Sequence, residues 1–306
     1  MHLEKFKGIF PALLTPMLED DSIDFESLER FVKHLLSLGV KGFYVGGSTA
    51  EGFILTSEER KRILETVVGA SAGQATVIAH IGAISTRESC ELARHAEAAG
   101  ADAISAVVPF YYKVSPEGIR QHYHSIMDST SLPFIMYHFP GATGVSLPLD
   151  FYEAMAQHPR CIGVKFTSLN LFELQQIRAR CGDDFLIYNG HDEVYAGGAL
   201  SGADGAIGST FNMMPQPFLQ MFDHAARGDW SAVMPLQAQA NEVISHLLAY
   251  DVIPYEKMIC YLQGLFRTPK ARQPLSQFDA EQKAAIEQYF NSSAVLQANS
   301  LSKLPG

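Results

Sequence analysis

The sequence predicts an α/β chain folded as a (β/α)8 TIM barrel with a C-terminal three-helix domain, on three observations. Eight short apolar runs recur within the first 211 residues, helical patterns lie between them, and three of those patterns end on glycine just before a run begins. The 306 residues are 47% hydrophobic and 18% charged, an ordinary globular composition long enough for one large α/β domain or two domains.

The runs are FPALLTP (10–16), GFYVGGS (42–48), TVIAHIGA (76–83), AISAVVPF (103–110), FIMYHFP (134–140), IGVKFTS (162–168), FLIYNGH (185–191) and GAIGSTF (205–211). Each has the length of a buried strand, and several are continuous rather than alternating, as strands covered on both faces are. Between them, 27–39 places Leu28, Phe31, Val32, Leu35, Leu36 and Leu38 mostly on one helical face. The stretch 56–69 opens on Thr56 with Glu59 three residues later, a capping box. The stretch 85–100 closes on Gly100, a helix C-terminal signal. Segments 38–47, 99–107 and 201–209 repeat one unit, a helix ended by glycine and followed at once by a strand. Eight such strands fit a closed barrel better than an open doubly wound sheet, and no GxGxxG turn follows the first run.

After residue 225 the pattern changes to three helices, 228–251, 254–266 and 279–292, with no strand between them. The division expected is a barrel over 1–225 and a helical domain over 226–306, packed on the barrel or on a neighbouring subunit. The last dozen residues, rich in Ser and Asn, read as frayed.

Charge and cysteine content exclude several functions. The formal net charge is −10 and no long basic run occurs, which argues against a nucleic-acid partner. Cys90, Cys161, Cys181 and Cys260 have no metal-like or CxxC spacing. The N-terminus lacks a signal-peptide apolar region, and no apolar stretch reaches membrane-spanning length. A cytoplasmic protein with no membrane partner is expected.

In a (β/α)8 barrel the chemistry sits where strands end. The second strand ends in Gly46, Gly47, Ser48, Thr49, Ala50 and Glu51, small residues and hydroxyls that admit a ligand, or a plain Gly-Ser turn. The fifth ends in Tyr137 and His138; a tyrosine there relays protons or merely packs. The seventh ends in Tyr188, Asn189, Gly190, His191, Asp192 and Glu193, whose two acids bind a ligand or cap the next helix. The eighth adds Ser209 and Thr210. Lys165 interrupts the apolar sixth run, with Phe166 beside it expected to face the outer helices. A lysine snorkelling at an exposed strand end is the plainer account. Inside the barrel, without an acid on its own strand, it is instead a candidate nucleophile, because a desolvated amine attacks ketones to form a Schiff base.

The segments YVGGSTAEG, PFYY, YHFPGATGV, GVKFTS and YNGHDEVYAGGALSGADGAIGST lie in order on separate strands. Together they resemble the dihydrodipicolinate synthase / N-acetylneuraminate lyase family of class I pyruvate aldolases, over nearly the whole chain. The resemblance implies a (β/α)8 barrel with three C-terminal helices, a homotetramer, and no cofactor beyond the covalent lysine. By resemblance, Lys165 forms the Schiff base, Tyr137 relays the proton, and Tyr111 reaches into a neighbouring subunit's site. Ser48 and Thr49 hold the carboxylate of the 2-oxo acid, while Thr167, Gly190, Asp192, Glu193 and Ser209 bind the polyhydroxylated part of a sugar acid. The partners implied are therefore a small-molecule sugar acid and pyruvate. Dihydrodipicolinate synthases usually carry an arginine soon after the strand-five tyrosine, and His138–Thr143 contains none. Ala50 stands where the family usually has glycine, so a positive φ there would strain the carboxylate loop. These features favour reversible cleavage of N-acetylneuraminate to N-acetylmannosamine and pyruvate. The rivals are another pyruvate-dependent aldolase acting on 2-keto-3-deoxy sugar acids or resembling dihydrodipicolinate synthase, a non-catalytic 2-oxo acid sensor, and, last, a phosphate-binding barrel isomerase.

Overall fold

The computed structural model describes residues 3–301. Eight strands form its centre: β1 (Gly8–Pro11), β2 (Gly42–Val45), β3 (Thr76–His80), β4 (Ala103–Val107), β5 (Phe134–His138), β6 (Cys161–Phe166), β7 (Leu186–Asn189) and β8 (Gly205–Gly208). All pairings are parallel, in the order β1-β8-β7-β6-β5-β4-β3-β2. A parallel bridge between Ala12 and Tyr44, with the Leu13 N–H donating to the Tyr44 carbonyl at 2.9 Å, joins the two ends of that order. The result is the (β/α)8 barrel expected. Every strand residue is buried, which is why the runs read as continuous rather than alternating.

Helices α1 (Phe25–Ser37), α2 (Ser57–Ser71), α3 (Thr86–Ala99), α4 (Pro116–Asp128), α5 (Pro140–Thr143), α6 (Leu149–Ala156), α7 (Leu171–Cys181), α8 (Tyr195–Leu200) and α9 (Pro215–Ala226) connect and follow the strands. Local chemistry sets several of their ends. Thr56 and Glu59 form the reciprocal capping box, and Gly100 ends α3 in the left-handed conformation at φ 87°. Gly39 and Gly202, the other two glycines of the repeated unit, also have positive φ.

The first ladder is earlier and shorter than the 10–16 run suggests. Past Pro11 the pairing ends within two residues: the Ala12 N–H donates to the Gly208 carbonyl at 2.8 Å and the Leu13 N–H to the Tyr44 carbonyl, after which the Leu14 N–H donates to Asn212 Oδ1 at 3.1 Å. Leu13 and Leu14 are buried although they lie past the end of β1.

After α9 come α10 (Trp230–Leu247), α11 (Val252–Leu262), α12 (Ala280–Ser292) and a one-turn α13 (Ala294–Gln297). The expectation of a frayed end is corrected where the chain is described. Leu296 is fully buried, and Gln263 holds this segment with its side-chain amide, which donates to the Leu296 carbonyl at 2.8 Å, and with its backbone carbonyl, which accepts from the Leu301 N–H at 3.1 Å. Composition showed the Ser and Asn residues but not that side-chain anchor; residues 302–306 lie outside the described range. Among the described residues, no helix is long and apolar enough to cross a membrane.

Candidate active site

Strand alternation sorts the side chains at the barrel mouth. On β6, Lys165 points inward and Phe166 outward; Phe166 stacks on His138 at 5.2 Å, and His138 meets Tyr152 of α6 at 5.8 Å. Tyr137 of β5 is the register partner of Lys165, so both turn to the interior. The Lys165 Nζ lies 4.2 Å from the centroid of the Tyr137 ring and 4.8 Å from that of Tyr44. Lys165 is 5% exposed, and among the described residues it has no ion pair with an acid. The snorkelling lysine is thereby ruled out: this amine is enclosed between two aromatic faces.

A cavity of about 310 Å³ opens above it. Ser48, Thr49, Tyr137, Lys165, Thr167, Gly190, Asp192, Glu193 and Ser209 all line it, so strands β2, β5, β6, β7 and β8 each contribute from their C-terminal ends. Tyr111 does not; it is 73% exposed and rests edge-on against Tyr112 at 5.1 Å.

Two glycines allow the polar side of this cavity to close up. A Cβ on Gly190 would lie 2.0 Å from Thr167 Oγ1, and one on Gly208 1.9 Å from Asp192 Oδ1. Asp192 Oδ2 accepts from the Thr210 N–H at 2.9 Å and its hydroxyl at 2.7 Å. Its other oxygen, Oδ1, and Thr167 Oγ1 are buried with no hydrogen-bond partner among the described residues. Both residues line the cavity, and buried polar atoms left unsatisfied beside one are the pattern of a site that completes its bonds with a ligand. Burial pushes the Asp192 carboxyl up to about 6, against the pull of Thr210 and Lys165. Burial also acts to raise Glu193, but the hydrogen bond from His191, at 3.1 Å, holds it below the usual range. Neither acid caps a helix: the short turn at Asp192–Val194 and α8 both lack a side-chain cap. The capping account is therefore set aside.

The Ser48–Thr49 turn is shaped from beneath. Gly46 has φ 78°, and its carbonyl accepts from His80 Nδ1 at 3.1 Å while His80 Nε2 takes the Val107 N–H at 3.3 Å. Burial keeps the His80 ring well below its ordinary pKa, so it is neutral with its proton on Nδ1. Ala50 does not carry a positive φ. The left-handed residue is Glu51, at φ 63°, one position later, so the strain foreseen at Ala50 is displaced onto its neighbour.

Several groups at or beside the cavity were not anticipated. Tyr44 does not line the cavity but packs its ring against Lys165, buried, with its hydroxyl donating to Ser105 at 3.0 Å. A tyrosine in the otherwise apolar GFYV strand was the available signal, because a buried phenol needs a partner. Ile244 and Leu247 of α10, Leu248, and Val252 and Ile253 of α11 supply the apolar part of the lining, joined by Phe139 and Ile207. No local pattern announces that the helices after the barrel fold over its mouth. Tyr188, by contrast, donates to the Phe6 carbonyl at 2.6 Å, away from the cavity lining.

The chain matches the Dihydrodipicolinate synthetase family over residues 5–292. It is 41% identical over 273 residues to N-acetylneuraminate lyase 2 of Escherichia coli O6:H1, covering 89% of each chain. Among solved structures, CdNal from Clostridium difficile in complex with mannosamine superposes with a TM-score of 0.91 at 33% identity, over 94% of this chain and 99% of that one. A catalytic lysine mutant of Ruminococcus gnavus sialic acid aldolase gives a TM-score of 0.93 at 31% identity, over 98% of this chain and 99% of the other.

Proposed function

Because this chain belongs to the Dihydrodipicolinate synthetase family, we propose that it is a carbon–carbon lyase cleaving N-acetylneuraminate reversibly to N-acetylmannosamine and pyruvate. The observation that carries this reading is the setting of Lys165. Its amine lies between the Tyr44 and Tyr137 rings, below a cavity whose polar side is made of Ser48, Thr49, Thr167, Asp192, Glu193 and Ser209.

In this reading the Lys165 amine adds to the C2 ketone of the open-chain sugar acid, and water leaves to give an iminium. Tyr137 takes the proton of the C4 hydroxyl, directly or through the substrate carboxylate, as the C3–C4 bond breaks. The bond's electron pair flows into the iminium, N-acetylmannosamine departs as the aldehyde, and an enamine of pyruvate remains. Protonation at C3 and hydrolysis release pyruvate and restore the lysine. Ser48 and Thr49 orient the carboxylate, a positioning effect. The unpartnered oxygens of Asp192 and Thr167 receive hydroxyls of the sugar end. The scheme uses no metal or organic cofactor, since the iminium is itself the electron sink. The proposal includes a cytoplasmic homotetramer, in which the exposed Tyr111 reaches the site of a neighbouring subunit.

Two measurements test it. A panel of sugar acids, followed by pyruvate release, should rank N-acetylneuraminate first; preference for shorter 2-keto-3-deoxy acids would keep the aldolase and reject the substrate. Pyruvate with borohydride should leave one reduced adduct per chain on Lys165, lost in Lys165→Ala. An adduct on Lys41, Lys113 or Lys257 would overturn the chemistry.

A further inference from the structure

Helix α11 turns a charged residue, Lys257, into the interior, where it pairs with Glu51 of the turn after β2. Both side chains are fully buried. Lys257 Nζ also donates to the Lys270 carbonyl at 2.9 Å, and Glu51 Oε2 accepts from the Arg272 N–H at 2.7 Å. The pair thus joins the turn that bears Ser48 and Thr49 to two separate pieces of the chain beyond the barrel, α11 and the 270–272 strap.

The turn itself is unusual in a way that calls for such an anchor. Glu51 holds φ 63°, a conformation that disfavours any residue with a Cβ. Its N–H donates to the Ser48 carbonyl at 3.0 Å, and the next residue, Gly52, donates to the Gly47 carbonyl at 3.0 Å. A Cβ on Gly52 would lie 2.2 Å from the Gly46 carbonyl oxygen, so the turn is wound tightly on itself. The Thr15 hydroxyl adds a bond to the Ala50 carbonyl at 3.0 Å. Rotating Glu51 out of the left-handed region would therefore move the backbone that presents Ser48 and Thr49. A buried ion pair is a poor source of net stability, since apolar replacements commonly do as well or better. What it supplies is a directional, fixed-length link, and here that link ends on the strained residue.

We propose that Glu51 and Lys257 are positioning residues for substrate binding: their buried pair locks the turn so that Ser48 and Thr49 face the carboxylate of the 2-oxo acid. The proposal rests on the assignment of Ser48 and Thr49 given above. It makes the helices beyond the barrel part of the pyruvate half of the site.

The test uses the full chain and reads the pyruvate concentration giving half-maximal borohydride trapping on Lys165, beside the thermal midpoint. Glu51→Gln keeps the shape and removes the charge. Lys257→Met does the same from the other side, and the double variant leaves no unpaired buried charge, so it keeps a folded reference. In all three, the half-trapping concentration should rise about tenfold or more, the scale of losing a charge-assisted contact. Trapping at saturating pyruvate should still reach one adduct per chain. If the double variant has near-parental half-trapping, the pair is only structural and the proposal is overturned. A fall in thermal midpoint without a change in half-trapping has the same meaning. Thr49→Val in the parent background separates the two levels. If that variant leaves half-trapping unchanged, the carboxylate assignment fails and takes this inference with it.

Discussion

Glu256 precedes Lys257 on α11, is wholly buried, and neither of its oxygens completes a hydrogen bond among the described residues. Burial pushes its carboxyl up to about 8; the Asp192 charge adds to the rise and the nearby Ser209 hydroxyl opposes it. An acid whose folded pKa lies above its unfolded value binds a proton on folding, so stability is lost as pH rises from the unfolded pKa toward the folded one. Taking ~4.3 for the unfolded glutamate, the loss runs at about 1.4 kcal/mol per pH unit and totals roughly 5 kcal/mol once the group is ionised. Glu256→Gln retains the shape and cannot ionise. The stability difference between the variant and the parent should therefore be small near pH 4.5, grow by ~1.4 kcal/mol per unit, and level off above about pH 8. Urea midpoints measured on both proteins from pH 5 to 9 give that difference, and taking it cancels the other titrations the two proteins share. A difference that stays constant across the range would show that Glu256 is ionised throughout, and the account of its buried, unpaired setting would be wrong.

Three further outcomes concern the chemistry. Tyr137→Phe keeps the ring over Lys165 but removes the proton carrier, so kcat should fall ~10²–10⁴-fold while pyruvate is still trapped; an unchanged kcat would reduce Tyr137 to packing. Asp192→Asn should lower kcat/KM for N-acetylneuraminate about tenfold or more with pyruvate trapping intact, because only the sugar end loses a charged acceptor. The parent's kcat/KM should also decline as pH falls through about 6, where Asp192 gains its proton, and the Asn variant should lack that limb. Equal damage to trapping and cleavage would contradict the two-part cavity.

Much of this protein was legible locally. The eight runs became the eight strands because a strand buried on both faces is a contiguous apolar segment, and contiguity is what a sequence displays. The Thr56–Glu59 box and the left-handed Gly100 follow from residues at most a few positions apart. Lys165, Tyr137, Asp192 and the hydroxyls at strand ends could be named because barrel topology gathers strand ends at one mouth. Other features depend on contacts between residues far apart in the chain, which no periodicity records. The apolar lining of Ile244, Leu247, Leu248, Val252 and Ile253 exists only once the later helices cover that mouth. The Tyr44 ring under Lys165, the transfer of strain from Ala50 to Glu51, and the closing of Glu51 onto Lys257 likewise needed the folded chain. Sequence by itself determined which polar groups gather at the barrel mouth; tertiary structure decided what holds them in place, since a buried charge or a left-handed turn takes its partner from wherever the fold brings one.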